Sequence, residues 1–305
     1  MNEKVSRKLA KYWWLRCVGC SEASLTTQMR GFGFEEPVYE QAIHSFSGGF
    51  MHQGHACGLL TSSVLAAEFV AQERFQNDET MSGATLHAAI QLTKAFPEYS
   101  GAINCREITE TDLTKLSGRL RYFKEGKSRM CGRLHLKWAP RAHQLIDKSL
   151  MEYGKSKPAG SSANCSLRTM QELESTAGMK TGVSSLIAGF AGGVGLCGNV
   201  CGALAAGAYA MSTIHQIGRK QKKRDSRIRG SVEELLGTNY RGNLTGLRLE
   251  FAGQFGSELC VDIIGRHFQD AEDHAEFLEQ GGCEDVTNFV ASWVAKHSIS
   301  NSTGT

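Results

Sequence analysis

The chain has 305 residues, 41% of them hydrophobic, enough apolar material for a core in each of two domains of ordinary size. Lysine plus arginine (34) and aspartate plus glutamate (31) nearly balance, which excludes the broad basic field of most nucleic-acid binders. Only 4 prolines, with abundant alanine, leucine and glycine, predict helices rather than a β-sandwich.

The first residues carry charges and no uninterrupted apolar run, so no secretory signal is read there and a cytoplasmic location is expected. The 10 cysteines are then expected to be thiols, metal ligands or catalytic groups rather than structural disulfides. Residues 4–30 predict one or two helices with Trp13, Trp14 and Leu25 on a buried face. Cys17 and Cys20 lie three apart, a spacing that on a helix would place both sulfurs on one side. After a turn at 31–37 comes a glycine and cysteine segment, with helices expected at about 56–75 and 84–93. Cys131 is expected to open a helix running to about residue 153. Residues 154–163, rich in Gly, Ser, Lys and Pro, read as a linker between a first half at 1–155 and a second at 162–300.

The two halves repeat one another. Residues 46–60 recur 144 positions later at 190–204, matching Phe46 with Phe190, Gly48 with Gly192, Gly49 with Gly193, Gly54 with Gly198, Cys57 with Cys201, Gly58 with Gly202 and Leu60 with Leu204. Cys20 recurs as Cys165, each opening a Cys-Ser dipeptide. Phe96, Gly101, Cys105 and Ile108 align with Phe251, Gly256, Cys260 and Ile263 at an offset of 155, and Cys131 resembles Cys283. Four cysteines thus recur in order, which predicts an internal duplication: an all-α chain of two tandem homologous helical domains, each with a cysteine site. Cys17 and Cys197 stand outside the pattern.

These residues resemble the CGCAxxGCC family, a group described by its redox activity. An isolated cysteine, a glycine-rich run into Cys-Gly-Ala and two further cysteines are matched by Cys165, Gly192, Gly193, Cys201, Gly202, Ala203, Cys260 and Cys283. The first half departs at Leu59, where the family has alanine, and keeps every cysteine. The resemblance implies a compact helical domain, frequent in anaerobic organisms and often encoded beside transporters. It also implies a relation to an iron-sulfur module that accompanies a split-Soret cytochrome.

Four thiolates per half, Cys20, Cys57, Cys105 and Cys131, then Cys165, Cys201, Cys260 and Cys283, are the number needed for an iron-sulfur cluster or a tetrahedral zinc. The gaps of 37, 48 and 26 residues, and of 36, 59 and 23, are far longer than those of zinc knuckles and favour a buried cofactor reached from separate helices. Gly48, Gly49, Gly192 and Gly193 would permit positive φ or close backbone approach, so that N–H groups could reach cluster sulfurs. The expected function is redox chemistry or electron transfer at iron-sulfur clusters, with a donor or acceptor protein as partner. No substrate or catalytic step is assigned.

Other readings compete. Cys197 and Cys201 lie four apart and on one helix would form a dithiol, giving a thiol-disulfide redox protein without a cofactor. His52 and His55 flank the first motif and are read as core or solvated residues before ligands, while Glu22 and Arg106 are read as surface residues. Gly193, Gly195 and Gly198 match a dinucleotide fingerprint, but the equivalent first-half segment lacks the middle glycine. The uncharged stretch 181–218, followed by Arg219, Lys220, Lys222, Lys223 and Arg224, has the layout of a membrane span with a basic anchor. A soluble duplicate carrying His52, Gln53 and His55 argues against insertion. It leaves the basic cluster as a contact for a membrane surface or a transporter, in a non-enzymatic accessory role, and not for nucleic acid.

Overall fold

Alanine, leucine, valine and small hydroxylated residues occupy every side of 58–71, and a helix so composed has no face to give to water. In the computed structural model that segment is α4, Gly58–Arg74, with all of residues 58–71 buried. The structure describes residues 5–17, 19–156, 163–177, 186–221 and 239–299. The basic side chains at 219–224 and most of the expected linker lie outside the described residues.

Around α4 the first half places α1, Arg7–Trp14; α2, Cys20–Phe32; α3, Pro37–Ala42; α5, Asp78–Ala95; α6, Pro97–Ser100; α7, Cys105–Thr109; α8, Leu116–Lys124; and α9, Lys127–Ser156. The second half repeats the plan with α10, Cys165–Ala177; α11, Gly202–Gln221; α12, Asn239–Phe255; α13, Cys260–Ile264; α14, Ala271–Glu279; and α15, Glu284–Ile299. The central helix α4 is flanked by α2, α5 and α9, and α11 correspondingly by α10, α12 and α15. The described residues contain no strand, only two isolated antiparallel bridges, Ala56 with Asn104 and Val200 with Leu259. No helix of the described residues is long and apolar enough to cross a membrane.

The halves meet through equivalent residues. Phe46, at the end of the 3-10 turn Ile43–Phe46, lies edge-on to Phe190, which ends the 3-10 turn Ala188–Phe190, with ring centroids 5.3 Å apart. Two copies of one residue touching each other mark a pseudo-two-fold axis between the halves. A single buried cluster includes residues of α2, α4, α5 and α9 together with residues of α10, α11, α12 and α15.

Two departures from the sequence reading concern cysteine pairs. Cys17 lies in the connection before α2, and Cys197 lies in a bend before an extended residue at Val200. Neither Cys17 with Cys20 nor Cys197 with Cys201 therefore shares a helix. Glycines at 19 and 198 break any helix that would have joined them. Among the described residues the Gly193, Gly195 and Gly198 run is preceded by the 3-10 turn Ala188–Phe190 and not by a strand, which argues against the dinucleotide reading. α9 begins at Lys127, so Cys131 sits one turn inside it rather than at its start.

Candidate functional site

Each cysteine site is built around a left-handed turn. Residues 48–52 all have positive φ (Gly48 69°, Gly49 73°, Phe50 57°, Met51 51°, His52 65°), and so do 192–196 (Gly192 58°, Gly193 79°, Val194 63°, Gly195 61°, Leu196 63°). For an L-residue this handedness costs roughly 1–2 kcal/mol per position, so Phe50, Met51 and His52 in the first turn, and Val194 and Leu196 in the second, require compensation from the surroundings. Part of it is hydrogen bonding. Gly54 and His55 N–H donate to the Gly48 and Gly49 carbonyls at 3.1 and 3.0 Å, and Gly198 and Asn199 N–H to Gly192 and Gly193 at 3.0 and 3.1 Å. A Cβ on Gly49 would stand 2.4 Å from the His55 carbonyl oxygen, and one on Gly193 2.5 Å from the Asn199 nitrogen, so the closure admits glycine only.

The turn throws the chain back beside the third cysteine. Cys57 N–H donates to Ile103 O at 2.9 Å and Cys105 N–H to His55 O at 2.7 Å; in the second half Cys201 N–H donates to Glu258 O at 2.9 Å and Cys260 N–H to Asn199 O at 2.8 Å. Two cysteines of each half are thereby locked together through their backbones. The first cysteine reaches them over the glycine that follows the second: a Cβ on Gly58 would lie 3.0 Å from Cys20 Sγ, and one on Gly202 3.0 Å from Cys165 Sγ.

Helix starts supply most of the sulfurs. Cys20, Cys105, Cys165 and Cys260 are the first residues of α2, α7, α10 and α13, while Cys57, Cys201 and Cys283 immediately precede α4, α11 and α15. A helix N-terminus favours negative charge on such a sulfur. Backbone N–H groups also point at sulfur, those of Gly192 and Ser166 at Cys165, Leu59 at Cys57, and Ala203 and Leu204 at Cys201.

In the second half Cys165, Cys201, Cys260 and Cys283 line one cavity of about 10 Å³, closed by Ile263, Ile264, Phe268, His274 and Val286. A shallow cleft of about 360 Å³ outside it shares Ile264, Cys283 and Val286, so Cys283 stands between solvent and the cavity. In the first half Cys57 is close enough to Cys105, Cys20 and Cys131 for each to disfavour its ionisation.

Burial dominates the electrostatics. It pushes Cys57 well above the usual thiol range with help from those neighbours, and Cys201 up to about 12 with help from Cys165. Cys105, Cys165, Cys260 and Cys283 are raised for the same first reason. Cys131 is held to about 11, burial being partly offset by a hydrogen bond from the Tyr122 hydroxyl and by Lys127. Without a cation among them these thiols keep their protons at neutral pH.

Of the remaining predicted residues, Cys197 donates its thiol to Gly193 O at 3.0 Å and burial lifts it to about 11. Burial also lifts Cys17 to about 12, with Glu22 adding to the effect. His55 Nε2 lies 3.0 Å from Glu258 Oε2 across the two halves, Glu22 faces His44 at 3.8 Å, and Arg106 pairs with Asp112 at 3.3 Å. Sequence reasoning missed Tyr122 and His274. A signal existed, since each lies nine residues before the fourth cysteine of its half.

The donor chemistry suits a thiolate-bound metal: four soft ligands per half, inward N–H groups and a glycine that lets the first sulfur close in. By distance the fit is incomplete. Among the described residues no trio of Cys, His, Asp or Glu stands close enough around a common point to hold an ion, so the sulfurs must rotate inward to share one. The family model "Putative redox-active protein (C_GCAxxG_C_C)" matches residues 18–145 and again residues 163–297. Neither a curated protein nor a solved structure matches the chain.

Proposed function

Because the chain belongs to this family, in tandem duplicated form, we propose that it is an electron-transfer protein holding an iron-sulfur cluster on the four recurring cysteines of each half. The reading is carried by one observation: Cys165, Cys201, Cys260 and Cys283, separated by gaps of 36, 59 and 23 residues, surround a single cavity. A cluster bound there supplies one-electron storage. The chain's own part is to deliver thiols from helix starts, surrender their protons when metal enters, and aim N–H groups at the resulting thiolates. Burial of Cys57, Cys105, Cys165, Cys201 and Cys260 keeps water from the sulfurs.

Thiol-disulfide exchange is a second reading, favoured by the separation of the sulfurs from any common metal point. It is the weaker one. The attacking sulfur must be a thiolate near neutral pH, whereas burial raises both Cys197, to about 11, and Cys201, to about 12.

Anaerobic purification followed by iron and acid-labile sulfide analysis, with paramagnetic resonance of the dithionite-reduced protein, separates the two. Iron and sulfide in both halves, lost half by half in Cys57→Ala and Cys201→Ala variants, is the expected result. Protein carrying neither element, with all its thiols titratable, would sink the cluster reading.

A further inference from the structure

The two halves finish their cysteine sites differently. At the position nine residues before the fourth cysteine the first half carries Tyr122, on α8, and the second carries His274, on α14. Tyr122 spends its hydroxyl on Cys131. His274 is 1% exposed, lines the cavity together with Cys165, Cys201, Cys260 and Cys283, and leaves Nδ1 without any hydrogen-bond partner. A buried polar atom left unsatisfied is costly, and native chains seldom tolerate one unless something else takes it up.

The ring is held in place. Phe268 meets it edge-on at 4.8 Å, and Asp270 caps α14 by accepting the Asp273 N–H at 2.9 Å. Asp273 also receives both guanidinium nitrogens of Arg266, at 2.7 and 2.8 Å, which fixes the loop leading into the helix. What an imidazole held among four thiols can do is donate a nitrogen lone pair to the ion those thiols bind.

We propose that His274 is a nitrogen ligand of the metal centre in the second half, so that this site is a mixed thiolate and imidazole site while the first is all-thiolate. The inference rests on the metal-binding reading above. A neutral nitrogen donor lowers the negative charge around the metal and raises its reduction potential relative to an all-sulfur site.

Cobalt(II) is the probe, titrated anaerobically into the reduced, metal-free full-length protein. Thiolate-to-cobalt charge transfer reports sulfur ligation, and pulsed paramagnetic resonance reports directly bonded nitrogen. Wild-type protein should show both. His274→Ala should lose the strong nitrogen coupling and keep the charge transfer, whereas Tyr122→Phe should keep both. His274→Gln, closer in volume, and wild-type protein with 15N only in its histidines answer the same question should the alanine variant fail to fold; the label must change the coupling pattern. Charge transfer without histidine coupling in wild type, or coupling that survives loss of His274, overturns the inference and leaves the cysteine site standing. No charge transfer in any variant overturns both.

Discussion

A methyl group added at Gly202 would sit 2.7 Å from the Phe190 carbonyl oxygen and 3.0 Å from Cys165 Sγ. The first contact is with backbone at the end of the 3-10 turn that leads into the left-handed turn, and it cannot swing aside. Gly202→Ala is therefore expected to cost about 1–3 kcal/mol of stability, read as a lowered denaturation midpoint. It should also weaken cobalt uptake in the second half alone. Gly58→Ala meets its nearest neighbours, Cys20 Sγ at 3.0 Å and Phe46 O at 3.2 Å, less closely and should cost less. Gly253→Ala, with open space around the added carbon on α12, should be neutral or stabilising by up to about 1 kcal/mol. Equal losses in all three variants would refute a steric role at the sulfur. The cysteines and these glycines were legible in the sequence because a repeated residue marks a repeated constraint. Tyr122 and His274 were not, because the same place in the two halves holds different chemistry, and only its distance from Cys131 and Cys283 betrays the equivalence.

Helices were legible where composition left no alternative, as in α4. The left-handed turns were not. Gly48, Gly49, Gly192 and Gly193 suggested positive φ, but Phe50, Met51, His52, Val194 and Leu196 follow them into the same region, against their intrinsic preference. That conformation is imposed by packing, and α4 takes part through Glu68. This carboxylate is fully buried and accepts N–H groups of Ala188 and Gly189, at the entrance to the second turn. The equivalent residue 144 positions on, Ser212, faces Ser45 Oγ at 3.2 Å, the counterpart contact across the pseudo-two-fold axis. Burial lifts Glu68 from its ordinary 4.5 to about 8, so the folded state holds a proton that the unfolded chain releases. Its contribution to stability is full below about pH 4.5 and is lost progressively as pH rises to about 8. The slope is at most about 1.4 kcal/mol per pH unit. Glu68→Gln keeps an acceptor for the two N–H groups and removes the proton, so the difference in urea midpoint between variant and wild type should widen in the variant's favour across that window. A difference independent of pH would show that Glu68 is not protonated in the folded protein.

At the scale of the whole molecule, duplication was visible as constant offsets, but the way the halves meet leaves no such trace, because a contact across a pseudo-two-fold axis joins residues that need not resemble each other. Ala56 N–H, beside Cys57, donates to Asn199 Oδ1 at 2.8 Å, and Asn199 Nδ2 donates to Asn104 Oδ1, beside Cys105, at 2.7 Å. The second site itself packs on Leu86 and Ile90 of α5 in the first half. With Phe46, Phe190 and Tyr209 in one cluster, a defect at the axis is shared by both halves. Phe190 is fully buried, and its loss removes the ring against which Phe46 rests. Phe190→Ala should cost about 3–5 kcal/mol, the usual price of an aromatic cavity. The consequence separates one cooperative unit from two. If the shared core couples the halves, calorimetry should give a single transition at lower temperature, and hydrogen exchange should deprotect α4 and α11 together. Deprotection of α11 with α4 unchanged would mean that each half folds on its own and that the two cysteine sites are independent. Joint deprotection would make them parts of one device, in which a change at either site is felt at the other through the axis.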